Sequence, residues 1–425
     1  MLNPPGIARW STPHFHYQAA ELCCDGVSLT RLAAEHNTPL YVYSANAIRA
    51  NYRRLATAFT QLRPLICYAV KANFNLSVLR VLKDEGAGFD IVSGGELHRV
   101  LTIGGDPARV VFAGVGKTDA EMDAALQARV GWLNAESADE LSRLNALAGI
   151  RGRVTRVALR LNPDVQPDTH PHIRVGGGSS KFGLPADEVL ALAKSWERFP
   201  ALDLRGIHVH IGSQMADPGS ILCALDVALD IISQIPRLEV LDIGGGFPVP
   251  YRETELYPSI ESFAAPILAK LAPCVARLGF HLEPGRYLVA NAGVLVTTVQ
   301  AVKRTSRGRT VVVDTGMHHL LRPALYGAYH RVVPLIDMPP MDAPCDVVGP
   351  ICESTDVLAW DRHLPAVRPG DRLAIMEAGA YGFSMASQYN SHPRPAEVLV
   401  DGGLARRVRR RETPDDMLAL EREEG

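Results

Sequence analysis

Residues 65–92, "LICYAVKANFNLSVLRVLKDEGAGFDIV", decide the fold. A β-rich apolar run (65–70) passes into a longer helical pattern and then into a second apolar run (89–92), the rhythm of a βα unit in a parallel sheet. Further runs at 109–113, 131–135, 156–161, 204–211, 238–243 and 280–283 bring the strands to eight. Between them lie helix starts, "TDAE" at Thr118 and "SADE" at Ser137, which read as capping boxes ahead of the helical spacing in "MDAALQA" and "LSRLNALA". Eight strands alternating with helices over about 240 residues match a (β/α)8 TIM barrel.

After residue 292 the rhythm changes. "VLVTTVQAVKR", "RTVVVDTG", "PCDVVG", "DRLAIMEAG" and "PAEVLVDGG" are strands divided by Gly, Pro and Asp turns with almost no helix. The expected organisation is a barrel over 31–291 and a mostly antiparallel β domain over 292–425. The N-terminal segment 1–30, with "HYQAAELCCDGVSL", is expected to join the β domain.

The 425 residues are 47% hydrophobic and 21% charged, enough apolar material for two cores. With 44 basic against 46 acidic residues the net charge is −2, which gives nucleic acid or an anionic membrane nothing to attract it. The basic run "ARRVRRRETPDD" meets acids at once and reads as a solvated face or strand flank. Seven scattered cysteines without C-x-x-C spacing fit a reducing compartment. No leader pattern and no apolar stretch of about 18 residues occur, so the expected location is the cytoplasm.

A barrel works at the C-terminal ends of its strands. That rule gathers Lys71 after strand 1, Asp90 and Ser93 after strand 2, Arg160 on strand 5, His210 and Ser213 after strand 6, Gly244, Gly245 and Gly246 after strand 7, and Glu283 with Arg286 after strand 8. The "GGGF" loop lets backbone N–H groups approach an anion, as a phosphate requires. A lysine, a phosphate cradle, a ring partner and a carboxylate in one mouth together suit pyridoxal phosphate.

"YAVKAN" (68–73), "HIGSQ" (210–214), "GGGFP" (244–248), "EPGR" (283–286), "RPALYGAYH" (322–330), "GPICESTD" (349–356) and "EAGAYGFSMASQYNSHPRPAEVL" (377–399) run through both domains in order. Together they resemble the diaminopimelate decarboxylases, fold-type III pyridoxal-phosphate enzymes with an alanine racemase-like barrel and β domain. The resemblance implies that Lys71 is the covalent anchor of the cofactor, with His210 stacked on the ring, and that Ser213 and Gly244 to Gly246 bind the phosphate. It also implies that Glu283 partners the pyridine nitrogen. Asp90, Arg160, Gly285, Arg286 and Tyr381 complete the implied cofactor set.

Arg286, Arg322, Tyr326, Glu353 and Tyr381 resemble the substrate-binding set, and Cys352 the proton donor. In such enzymes Cys352 and Glu353 come from the partner subunit, which implies a homodimer. The substrate implied is meso-diaminopimelate, whose non-reacting end offers a carboxylate to Arg322 and Arg286 and an ammonium to Glu353. Ornithine lacks that carboxylate and would leave a guanidinium unpaired, at a cost of about 1–3 kcal/mol.

Two stretches depart from the family pattern. His318 and His319 stand where Asn and Asp are expected, and "HIRVGGGSSKFG" (172–183) replaces the usual "YISTG" opening of the loop that covers the substrate. No metal is expected at the two histidines, because neighbours on a strand point to opposite faces. The residues alone leave open a related decarboxylase acting on arginine, ornithine or carboxynorspermidine. They leave open as well a non-catalytic carrier of the cofactor and a barrel enzyme in which Lys71 forms no covalent link.

Overall fold

The computed structural model describes residues 12–165, 180–341 and 343–422. The segment 172–183 lies outside them as far as residue 179.

All eight expected barrel strands form. They are Leu65–Ala69, Gly88–Ile91, Val110–Phe112, Trp132–Ala135, Thr155–Leu161, Leu202–Val209, Val240–Asp242 and Gly279–Leu282, and they pair in that order. The eighth closes on the first through His281 opposite Leu65 and Leu282 opposite Ile66. Every pairing around the ring is parallel, so each strand is covered on both faces and reads as a near-continuous apolar run. Cys67, Val111, Trp132 and Ala158 form one buried cluster drawn from four strands. Gly206 admits the Trp132 ring, since a Cβ there would lie 3.1 Å from it and 3.0 Å from Ala158 Cβ.

The helix starts read from sequence are real, with one change. Thr118 and Glu121 make the reciprocal capping box. Ser137 accepts from Glu140 N–H at 3.1 Å, but the buried Glu140 carboxylate takes Lys117 Nζ at 2.6 Å instead. A buried ammonium here outcompetes a cap, because leaving it unpaired would be the more expensive choice.

The barrel unit comprises Ala50–Pro250 and Glu255–Leu288. The second unit holds the chain up to Arg49, Tyr251–Thr254 and everything from Val289 on. The changeover therefore falls at Arg49, whereas residues 31–49 were expected in the barrel. The reason is Leu40–Ser44, a strand that pairs antiparallel with Gly293–Thr305 on one side and parallel with Ala396–Asp401 on the other.

The large sheet of this unit runs Val357–Arg362, Cys345–Val348, Gly308–Val313, Gly293–Thr305, Leu40–Ser44, Ala396–Asp401 and Leu404–Arg409, with Arg372–Ile375 and Val332–Pro334 branching from the long strand. The N-terminal strands Phe15–Gln18, Glu21–Cys24 and Val27–Ser28 lie in the same unit. Leu22 N–H donates to Leu335 O at 2.8 Å, and Asp337 N–H to Ala20 O at 2.7 Å. Phe15, Leu22, Leu29 and Leu32 share a buried core with Val294, Val296, Met376 and Val398. Among the described residues no helix is long and apolar enough to cross a membrane.

Candidate active site

The first barrel strand ends in a single helical turn, Val70–Ala72, and this turn aims Lys71 at the second strand. Lys71 Nζ donates to Asp90 Oδ2 at 2.6 Å. Burial pushes the Asp90 carboxyl up to about 7, although Lys71 pulls it down. Gly285 packs against this turn, because a Cβ there would sit 3.0 Å from Ala69 Cβ and 3.2 Å from Ala72 Cβ. The glycine of "EPGR" thus permits the eighth strand end to lie beside Lys71.

The three glycines after the seventh strand have a packing reason as well. A Cβ would lie 2.6 Å from Val209 O on Gly244, 2.2 Å from Glu283 O on Gly245 and 2.4 Å from Gly212 O on Gly246. Gly244 and Gly246 also have φ of +68° and +91°, where side chains are strained. Gly245 N–H donates to His210 Nδ1 at 3.1 Å, which fixes that nitrogen as an acceptor. Burial, then the Arg160 charge, push His210 down to about 3, so its ring is neutral at any ordinary pH. Arg286 donates to Ser213 Oγ at 3.2 and 3.3 Å. Arg160 donates to Glu136 Oε1 at 2.7 Å and lies 4.6 Å from the Phe182 ring centroid.

Glu283 anchors the floor of the group. Its Oε2 meets His208 Nε2 at 3.1 Å, and its Oε1 is buried without a hydrogen-bond partner among the described residues. Burial raises this carboxyl, but His208 and then Lys71 hold it below the usual carboxylate range. The neighbouring Asp242 is pushed well up, first by burial and then by the Glu283 charge. The two neighbouring carboxyls are thus pushed in opposite directions.

Sequence reasoning missed His208 and Asp242. The signal was present, since His208 and Asp242 each stand two residues before an expected site residue, His210 and Gly244, at the end of a strand candidate. Ligand-type atoms of His208, Asp242 and Glu283 lie within 4.8 Å of one another, a grouping that metal sites share. The residues nevertheless fit pyridoxal phosphate well. A protonated ring nitrogen is the donor that the orphaned Glu283 Oε1 lacks, and Lys71 acts electrostatically on the same carboxylate.

The other expected residues belong to the β unit and fall in two groups. Arg322 opens the short helix Arg322–Tyr326, with Tyr326 at its end and Gly327 as a left-handed cap. Arg322 Nη1 contacts His330 Nε2 at 2.8 Å, and its guanidinium carbon lies 4.5 Å from the Tyr251 ring centroid. Tyr381 holds a left-handed φ of 56°, a strained conformation for a large side chain.

The second group is the loop of Cys352 and Glu353, both exposed. Asp356 shapes it by accepting Met317 N–H at 2.6 Å and Ile351 N–H at 2.8 Å. Gly316 and Gly349 crowd that carboxylate so closely that a Cβ would stand 2.5 or 2.3 Å from it. Cys352 N–H reaches Asn390 Oδ1 at 3.4 Å, and Tyr389 hydroxyl donates to Glu353.

His318 and His319 follow the strand Gly308–Val313 in a turn rather than lying on a strand. Their rings therefore do not point to opposite faces but lie against each other, tilted by 43° with centroids 3.7 Å apart. His319 contacts Thr315 Oγ1 and Pro393 O. His318 is buried, and neither ring nitrogen has a hydrogen-bond partner among the described residues. Burial, with a smaller contribution from His392, pushes it from 6.5 down to about 4.

Stability carried by the neutral ring is complete above 6.5 and is lost as the pH falls toward 4. His318→Phe should therefore shrink the drop in the urea midpoint between pH 7 and pH 5. An unchanged drop would show that His318 is not the group responsible.

Residues 45–290 match the family described as pyridoxal-dependent decarboxylase, pyridoxal binding domain. The diaminopimelate decarboxylase of Pseudomonas aeruginosa is 46% identical over 411 residues, covering 96% of this chain and 98% of that protein. The crystal structure of diaminopimelate decarboxylase from Helicobacter pylori complexed with L-lysine is 39% identical, with a TM-score of 0.87 over 92% of this chain and 98% of that one. The enzyme of M. jannaschii in co-complex with L-lysine is 33% identical, with a TM-score of 0.92 over 97% and 98%.

Proposed function

The chain belongs to the diaminopimelate decarboxylase family, and from that premise we propose its reaction and the residues that carry it. The reaction is the pyridoxal-phosphate-dependent removal of the carboxylate at the D-configured end of meso-diaminopimelate, giving L-lysine and carbon dioxide. The observation that carries this reading is the buried Glu283 Oε1, without a hydrogen-bond partner among the described residues, on a carboxylate within electrostatic reach of Lys71 at the barrel mouth.

Lys71 would hold the cofactor covalently, His210 its ring face, Glu283 its ring nitrogen, and Ser213, Gly244, Gly245, Gly246 and Arg286 its phosphate. Bound there, pyridoxal phosphate supplies an electron-accepting ring that takes up the pair left when carbon dioxide departs. The chain does the rest. Asp90 Oδ2, at 2.6 Å and with its carboxyl near 7, is basic enough to take the proton that Lys71 Nζ must shed before it can act as a nucleophile. His210 stays neutral and so adds no positive charge against the ring. Glu283, held below the usual carboxylate range first by His208, would face the ring nitrogen and favour a positive charge there.

Arg322, Arg286 and Tyr326 take the carboxylate of the non-reacting end, with Tyr381 completing the set. Glu353 of the partner subunit takes its ammonium, and Cys352 of the partner subunit delivers the proton to the reacting carbon. The exposure of both residues on their own chain supports a role outside it. Seven free cysteines support a reducing compartment, and we place the protein in the cytoplasm as a homodimer.

Carbon dioxide release measured side by side tests the assignment. Turnover of meso-diaminopimelate should exceed that of ornithine by about tenfold or more, the penalty for a guanidinium left without its carboxylate. A preference for ornithine would refute it.

A further inference from the structure

His330 is fully buried, and two of its contacts fix its proton. Nδ1 lies 2.8 Å from the Met376 carbonyl oxygen, which only accepts, so Nδ1 carries hydrogen and donates. Nε2 lies 2.8 Å from Arg322 Nη1, which only donates, so Nε2 accepts. A neutral imidazole in one tautomer satisfies both. The Tyr251 ring completes the clamp, lying over the guanidinium at 4.5 Å and edge-on to His330 at 5.4 Å. Beyond His330, Met376 leads into the stretch where Glu377 and Tyr381 hold left-handed φ of 51° and 56°. Met376 is itself pinned by its N–H to Arg331 O at 2.8 Å.

We propose that His330 is the positioning residue for Arg322. By accepting from the guanidinium it sets the direction of the Arg322 fork toward the carboxylate at the non-reacting end of the substrate. It thereby favours an amino acid head over a bare amine at that end. This rests on the assignment of Arg322 to that carboxylate made above.

Three variants of the cofactor-loaded enzyme test it. His330→Leu removes both contacts, whereas His330→Gln can keep both, with Oε1 for Arg322 and Nε2 for Met376; Arg322→Gln is the control. The probes are L-lysine, which retains the carboxylate, and 1,5-diaminopentane, which does not.

His330→Leu should weaken inhibition by L-lysine and raise KM for meso-diaminopimelate by about tenfold or more, the scale of a lost hydrogen bond to a charged group. It should leave kcat, diamine inhibition and cofactor absorbance near wild type, and His330→Gln should recover most of the loss. If Arg322→Gln leaves L-lysine inhibition intact, the assignment of Arg322 fails and the proposal falls with it. If Arg322→Gln weakens L-lysine but His330→Leu does not, only the positioning role is overturned. The same holds if His330→Leu weakens both probes alike without recovery in His330→Gln.

Discussion

Lys71→Ala is expected to abolish the near-visible absorbance that the protein acquires with pyridoxal phosphate and to lower decarboxylation by about a thousandfold or more. Nothing else on the described barrel mouth offers an amine at the end of the first strand. The variant should still fold. Asp90 lies in a buried place that already raises its carboxyl to about 7 with Lys71 present, so without the ammonium it simply stays protonated and neutral. The glycine loop, Ser213 and Arg286 would remain, so weak reversible cofactor binding is compatible with the account. Retained colour and turnover in a folded Lys71→Ala protein would mean that the anchor lies elsewhere.

Cys352→Ala is expected to lower turnover by about a hundredfold or more while leaving cofactor absorbance unchanged, because a positioned proton donor contributes at that scale. The more telling result comes from mixing. If Cys352 serves the site of the partner subunit, Lys71→Ala and Cys352→Ala chains unfolded and refolded together form hybrid dimers in which one site has both residues intact. Half of the dimers are hybrids and half of their sites are whole, so the mixture should recover about a quarter of wild-type activity. Recovery no greater than the sum of the two inactive proteins would place Cys352 in its own chain's site or outside the reaction.

The barrel was legible because parallel strands covered on both faces are apolar throughout, and each was bounded by a helical pattern. "LYVYS" (40–44) is equally apolar, yet nothing local says that its neighbours are Gly293–Thr305 and Ala396–Asp401 rather than a barrel strand. The strand "VLAWDR" escaped notice because only its first three residues are buried, and "LARRVR", which has no buried residue, read as a solvated face or strand flank. Lys71, Asp90, His210 and Glu283 could be gathered from sequence by one rule, that they follow strand ends.

His208 was overlooked although its spacing from His210 marked it. The role inferred for His330 was not readable at all, since it depends on the Met376 carbonyl, far along the chain, and on Tyr251. The turn that brings the His318 and His319 rings together likewise arises from tertiary packing, and strand alternation misread it.

The central claim is that this chain uses pyridoxal phosphate to make L-lysine from meso-diaminopimelate. Protein stripped of cofactor and then refilled with pyridoxal phosphate is given meso-diaminopimelate, and L-lysine and carbon dioxide are both measured. The account predicts no turnover in the stripped protein, activity that rises with refilling until one cofactor is bound per chain, and equal amounts of the two products. Full activity without the cofactor, or carbon dioxide released without L-lysine, would contradict it.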